Sequence, residues 1–391
     1  YFLPAYSGVA LSNNDLRWSP RIERSDGLVR LVLGLGTRAV DRLSADYPVL
    51  FAPGKPGLRV SRSTEEILRY APREVDLIDL EKDAFETVSV DALLREAGNH
   101  LPGVRHMVSL VEDGEIRPPG ALADLREVEA VVTFEGLATE TPFLARMERL
   151  LEVLGHGMGK PVDVEFASDG THLHLLQCRP QSYSGDDAPV RVPHGLSPDQ
   201  VLFSAHRYVS NGRVPDLTHV VYVDPARYAA LDDPGRMRAV GRVVGRLNQV
   251  LAPRRFVLMG PGRWGSRGDI RLGVPVGYSD LNHAALLVEI ARRDGDYLPD
   301  LSFGTHFFQD LVEAGIRYLP LYPDEPGNAF DEAFLRGAAN RLGELVPGAD
   351  EYGDVIRVID VPAEREGRVL RVYMDGEAGV AAGVFVSPSA P

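Results

Sequence analysis

The stretch "VDVEFASDGTHLHLLQCRP", residues 162–180, decides how the first half of this chain is read. Two alternating runs flank Asp169-Gly170, a turn signal, so the segment is expected to form a β-hairpin. Side chains alternate faces along a strand, so Asp163 shares a face with Glu165, and Gln177 with Arg179. Whether the two pairs share one face depends on the turn, because directly opposed residues of an antiparallel pair point the same way. A two-residue Asp169-Gly170 turn pairs Ala167 with His172 and Glu165 with His174, away from Gln177. A three-residue loop, Asp169 to Thr171, pairs Asp163 with Gln177 and Glu165 with Leu175, and all four polar groups converge. Asp-Gly favours the shorter turn, so local propensity and convergence disagree. Convergence would make chemical sense: carboxylates offer hard oxygens to Mg2+, and an arginine fork matches phosphate oxygens. The plain alternative is an exposed polar face held by cross-strand ion pairs.

Working outward, "SGVALS" and "GLVRLVLGLG" read as strands, the second running into a helix-like "TRAVDRL". Helices are expected at "STEEILRYA", at "SVDALLREAG" and, capped by Thr141 and entered through Pro142, at "FLARMERLLEVLGHGMG". "VEAVVTFEGL" reads as a strand by its β-branched content. The polar, Pro/Gly-rich segment 184–200 is the expected linker between a first region, 1–183, and a second, 201–391. In the second, "HVVYVD", "RRFVLMG" and "GIRYLPLYP" read as strands, 225–250, 306–315 and 330–345 as helical, and the C-terminus as a hairpin. Alternation of this kind argues for an α/β (α+β) fold class.

The chain has 391 residues, 25% charged and 44% hydrophobic, a globular profile. A formal charge of −14 disfavours nucleic-acid and anionic-membrane surfaces. One cysteine, Cys178, excludes an intramolecular disulfide, and its place inside a strand suggests packing rather than a nucleophile. No apolar run reaches the length of a membrane span, and a cytoplasmic protein is expected. The opening "YFLPAYSGVALS" lacks Met and reads as if already inside a strand, which leads to the expectation of a fragment.

The hairpin "PVDVEFASDGTHLHLLQCRPQS" resembles the end of the ATP-grasp nucleotide-binding domain in the pyruvate phosphate dikinase and phosphoenolpyruvate synthase family. There an Asp-x-Glu strand, a short turn and a strand ending Leu-Gln-x-Arg-Pro follow one another. "YSGVALSNND" is similar to the family's Ser-Gly-Val strand, and "LVLGLGTRAV", with Gly34 and Gly36, to its Gly-Leu-Gly segment; the order along the chain also agrees. The resemblance implies a partial ATP-grasp-like domain over about 1–183. It makes Glu165 a metal ligand and Asp163 a second acid, both in catalytic roles with Mg2+ and ATP as cofactors. It assigns Gln177, Arg179, Gly34 and Gly36 to nucleotide binding. Two residues depart from the pattern: Arg30 stands where the family often has Glu, and Thr37 where another Glu follows the glycines. The family's lysine-bearing N-terminal subdomain has no counterpart here; it, or a second copy of the chain, is an expected partner.

In the second half, Gly260, Gly262 and Gly265 satisfy G-x-G-x-x-G after an apolar strand. The following "SRGDIRLGVPVG" cannot form the helix that a dinucleotide site needs, so that reading is rejected. The glycine loop with Arg263 and Ser266 is expected either to cradle a second anion through its backbone N–H groups or to be a tight connection lidded by Trp264. Thr305 is the expected N-cap of a helix whose first residue, His306, is a phosphoryl-acceptor candidate or a pocket-lining side chain. His172 and His174 alternate on a strand face but lack a third metal ligand. The function expected is an ATP-dependent phosphotransferase acting on a small-molecule or protein acceptor. The alternative is a non-catalytic nucleotide-binding or scaffold module of a larger protein.

Overall fold

The computed structural model describes residues 1–19, 21–40, 46–61, 63–120, 123–181, 189–265, 270–292, 301–302 and 305–388. Of Val40, Asn99, His306, Gln309 and Glu313 it describes the backbone alone. The chain divides into two compact units, Tyr1–Ser182 and Tyr183–Pro391.

The first unit is built on an antiparallel sheet of β1 (Tyr6–Leu11), β2 (Leu28–Leu33), β3 (Val49–Phe51), β9 (Val162–Ser168) and β10 (Leu173–Pro180), in the order β10-β9-β1-β2-β3. Smaller sheets pair β4 (Glu74–Asp79) with β5 (Ala84–Ser89), and β6 (Val108–Glu112) with β7 (Glu115–Arg117) and β8 (Ala130–Val132). Between them run α1 (Thr37–Val40), α2 (Thr64–Tyr70), α3 (Val90–Ala97), α4 (Val104–Met107), α5 (Glu135–Thr139) and α6 (Phe143–Met158). The expected strand at "VEAVVTFEGL" stops at Val132, because Phe134 takes a left-handed φ of 51° and starts α5. Thr141 accepts the Phe143 N–H at 3.2 Å, and Gly159 ends α6 at φ 63°.

Alternation decides which face of β9 is which. Val162, Val164 and Phe166 are fully buried in one cluster with Phe143, Leu144, Met147 and Leu151 of α6. Each such side chain contributes about 1.5–3 kcal/mol relative to exposure. The intervening Asp163, Glu165 and Ala167 are left on the other face, half-buried.

The second unit has a five-stranded sheet in the order β16-β15-β14-β13-β17. It comprises β13 (His219–Val223), β14 (Phe256–Pro261), β15 (Leu286–Ile290), β16 (Arg317–Leu321) and β17 (Ile356–Asp360). The first four are parallel and β17 runs antiparallel to β13. A second sheet orders β11 (Val201–Ala205), β19 (Val380–Val386), β18 (Val369–Asp375) and β12 (Gly212–Arg213). The parallel strands are near-continuous apolar runs because both faces are covered. The expected helix at 225–250 is two, α7 (Pro225–Ala229) and α8 (Pro234–Val250), since Asp224 and Asp233 each cap a helix that begins at proline. α9 (His306–Glu313) precedes β16, then come α10 (Glu332–Gly337), α11 (Leu342–Leu345) and α12 (Val361–Glu364). No helix among the described residues is long and apolar enough to cross a membrane. Val190, inside the expected linker, already donates its N–H to Met374 in this unit.

Candidate functional site

Neither expected turn joins β9 to β10. The ladder pairs Ser168 with Leu173, Ala167 with His174 and Phe166 with Leu175, so the loop is four residues, Asp169 to His172. Asp169 shapes it: its Oδ1 accepts the N–H groups of Thr171 and His172, each at 2.7 Å. These backbone bonds, the His172 one foremost, hold its carboxyl well below the usual carboxylate range. A four-residue loop alone would set Leu176 against Glu165 and turn Gln177 and Arg179 to the core side. A bulge at Leu176 adds one more residue and reverses that outcome: Gln177 lies opposite Glu165, and Arg179 opposite Asp163. The two acids, the amide and the guanidinium therefore share the face that the core does not use.

On that face Arg179 donates both Nε (2.9 Å) and Nη2 (2.8 Å) to Asp163 Oδ2, which raises the guanidinium pKa. Asp163 Oδ1 is buried without a hydrogen-bond partner among the described residues. Neither the Glu165 carboxylate nor the Gln177 amide makes a hydrogen bond among the described residues. The row continues across the sheet, where Val9 stands opposite Glu165 and Arg30 opposite Val9. Arg30 thus belongs to the same face, in line with Gln177 and Glu165, which the linear sequence did not reveal. Among the described residues no group of three or more His, Cys, Asp or Glu is arranged to hold a metal. His172 and His174 are exposed beside Asp169 Oδ2, at 3.1 and 3.6 Å. Cys178, expected to pack, is exposed on the edge strand with Met158 Sδ 3.7 Å away.

The Gly-Leu-Gly segment closes one end of the same sheet. Gly34 needs its left-handed φ of 69°, and a Cβ there would come within 2.5 Å of the Asp76 carbonyl. Ser7 on β1 donates its hydroxyl to Gly34 O at 2.7 Å. Thr37 and Arg38 both turn to the buried Asp76 carboxylate, at 2.5 and 2.9 Å, and Thr87 completes it at 2.7 Å. Burial pushes that carboxyl up, but the three bonds outweigh it and hold the group below its ordinary value. Thr37 is therefore committed to structure in this chain.

Of the two readings left open for the glycine loop of the second unit, the described backbone N–H groups fit the tight connection. Gly262, Arg263, Trp264 and Gly265 give their N–H groups to Ile290 O, Leu272 O, Glu289 Oε1 and Val274 O. Trp264 is buried, and Gly260 is where its ring passes: a Cβ would meet the ring at 2.7 Å. The segment is a tight connection, with Ser266 outside the described residues. Thr305 caps α9, accepting the Phe308 N–H at 3.3 Å and donating to Ser302 O at 2.7 Å. His306 is the first residue of that helix; its side chain lies outside the described residues. Glu289, the charged residue inside the apolar run "AALLVEI", was passed over by sequence reading, although a lone acid in a buried parallel strand is itself a signal.

With this geometry in place, the family described as "Pyruvate phosphate dikinase, AMP/ATP-binding domain" matches residues 3–199, which contain all four hairpin residues and the glycine segment. The chain belongs to that family, and its first half is an ATP-grasp-like, nucleotide-binding domain for AMP/ATP. No curated protein matches the chain.

Proposed function

We propose that this chain is the nucleotide-binding part of an ATP-dependent phosphotransferase whose acceptor is a small molecule or a protein. The observation that carries the reading is the cross-strand pairing of Glu165 with Gln177 and of Asp163 with Arg179 on one face. Phosphoryl transfer needs chiefly positioning and charge neutralisation. In this reading Glu165 and the free Oδ1 of Asp163 bind Mg2+ beside the phosphates, which complete its shell because the protein supplies only two carboxylates. Arg179 and Gln177 hold phosphate and ribose-side oxygens, and the Gly34–Gly36 turn borders the nucleotide.

Isothermal titration with Mg-ATP tests this. Glu165→Ala is expected to weaken binding about tenfold or more, and equal affinities would rule the site out. Arg30, a cation where the family often has an acid, favours a second reading: nucleotide sensing without transfer. ATP turnover that disappears in Arg179→Ala would eliminate that alternative.

A further inference from the structure

Glu289 lies on β15 in the second unit, fully enclosed. Its Oε1 meets the Trp264 N–H at 2.8 Å and the Ser302 hydroxyl at 2.5 Å. Its Oε2 meets the Ser302 N–H at 2.5 Å and the Tyr318 hydroxyl at 2.7 Å. No basic side chain among the described residues bonds to it. The Ser302 hydroxyl also lies 2.6 Å from the Trp264 carbonyl oxygen.

A serine hydroxyl carries one hydrogen, whereas its two contacts, to a carboxyl oxygen and to a carbonyl oxygen, need two. One hydrogen serves both only as a bent three-centre bond; a proton on the carboxyl supplies the second. We infer that Glu289 is protonated when these contacts are closed and acts as a proton-operated clasp: Oε1–H donates to Ser302 Oγ, and Ser302 passes its own hydrogen to Trp264 O. Every contact of the cluster is then satisfied. Loss of the proton to solvent leaves Ser302 one hydrogen for two acceptors, and either the Glu289 or the Trp264 contact becomes two bare oxygens facing each other.

Burial acts in the same direction, pushing the carboxyl up to about 7 against the bonds from Ser302, Tyr318 and Trp264. The titratable groups that face it among the described residues are Tyr318, bonded to it, and Tyr322, within electrostatic reach at the end of β16. Arg207, Glu325 and Tyr208 act on Tyr322 in turn. The clasp has a mechanical output. The Ser302 carbonyl accepts the N–H of Thr305 at 2.9 Å and its hydroxyl at 2.7 Å, and Thr305 caps α9. Opening the clasp shifts the Trp264 main chain and, through Ser302, loosens the cap of α9, while the Gly262, Arg263 and Gly265 bonds stay in place.

Infrared difference spectra and tryptophan fluorescence test this on the full chain. On the acid side of the transition, the wild type is expected to show the carbonyl stretch of a buried, protonated carboxylic acid, absent in Glu289→Gln. In a Trp18→Phe background, Trp264 fluorescence should titrate with a midpoint near 7 and lose that transition in Glu289→Gln. Tyr318→Phe removes a donor that favours the anion and should move the midpoint upward by roughly one unit. Absence of the acid band, or a transition that survives in Glu289→Gln, overturns the inference. If Glu289→Gln does not fold, a Tyr318→Phe midpoint that stays put or falls overturns it instead.

Discussion

Replacing Asp76 by alanine removes the acceptor on which the glycine segment of the first unit is hung. The carboxylate is buried and takes bonds from Thr37, Arg38 and Thr87. Arg38 is itself only 9% exposed and keeps two other partners, Glu74 at 2.8 Å and Asp46 at 3.3 Å. Breaking a buried pair from one side costs about 3–5 kcal/mol because a charge is left uncompensated. The two remaining carboxylates place Asp76→Ala near the lower end, about 3 kcal/mol, and Asp76→Asn, which keeps an acceptor, at about half of that. With a urea m-value of roughly 1–3 kcal/mol/M, the alanine midpoint should fall by on the order of 1–3 M in unfolding followed by circular dichroism. The pH dependence has a definite sign. The folded Asp76 pKa is depressed, so its contribution is present above the unfolded value of about 3.9 and is lost as pH falls through the folded one. The gap between wild type and Asp76→Asn should therefore close below about pH 4. A cost under about 1 kcal/mol for Asp76→Ala, or a gap that widens in acid, would refute the assignment of this carboxylate as an ionised hub.

Arg179→Ala should weaken ATP binding by about 10- to 100-fold in titration calorimetry while changing stability by less than about 1 kcal/mol, since the guanidinium is half exposed. Deleting Leu176 turns the bulged ladder into a regular one with Gln177 still opposite Glu165. Nucleotide affinity should stay within about twofold, and a larger loss would give the bulge a role beyond parity. Gly262→Ala forces a Cβ onto the Leu272 carbonyl at a left-handed φ of 56°. It should destabilise the second unit by about 3 kcal/mol or more, read as faster hydrogen exchange in β14 and β15.

Much of the architecture was legible because local chemistry agreed with it. The helix of residues 143–158 shows apolar residues at helical spacing and a terminating glycine, and the apolar runs of β13, β14 and β16 have the composition of buried parallel strands. Helix 225–250 was read as one because its interruption is a capping event at Asp233-Pro234, invisible to periodicity. β15 was missed for the opposite reason: its apolar run carries Glu289, whose burial is tolerated only through bonds to Trp264, Ser302 and Tyr318, residues remote in sequence. The glycine loop was left between an anion cradle and a tight connection because a glycine-rich loop advertises free N–H groups, while their partners, Leu272, Val274 and Ile290, come from other segments.

The sequence by itself determined that Asp163 goes with Glu165 and Gln177 with Arg179, because a strand alternates its side chains whatever surrounds it. It could not decide whether the pairs meet. That rests on whether the residues between the arms number odd or even, and here a loop shaped by Asp169 and a bulge at Leu176 each shift the count by one. The tertiary structure settled it: Val162, Val164 and Phe166 must cover α6, and burying them leaves the acids only one side of the sheet on which to stand. Arg30 joins them there through β1, a neighbour that only the folded sheet supplies.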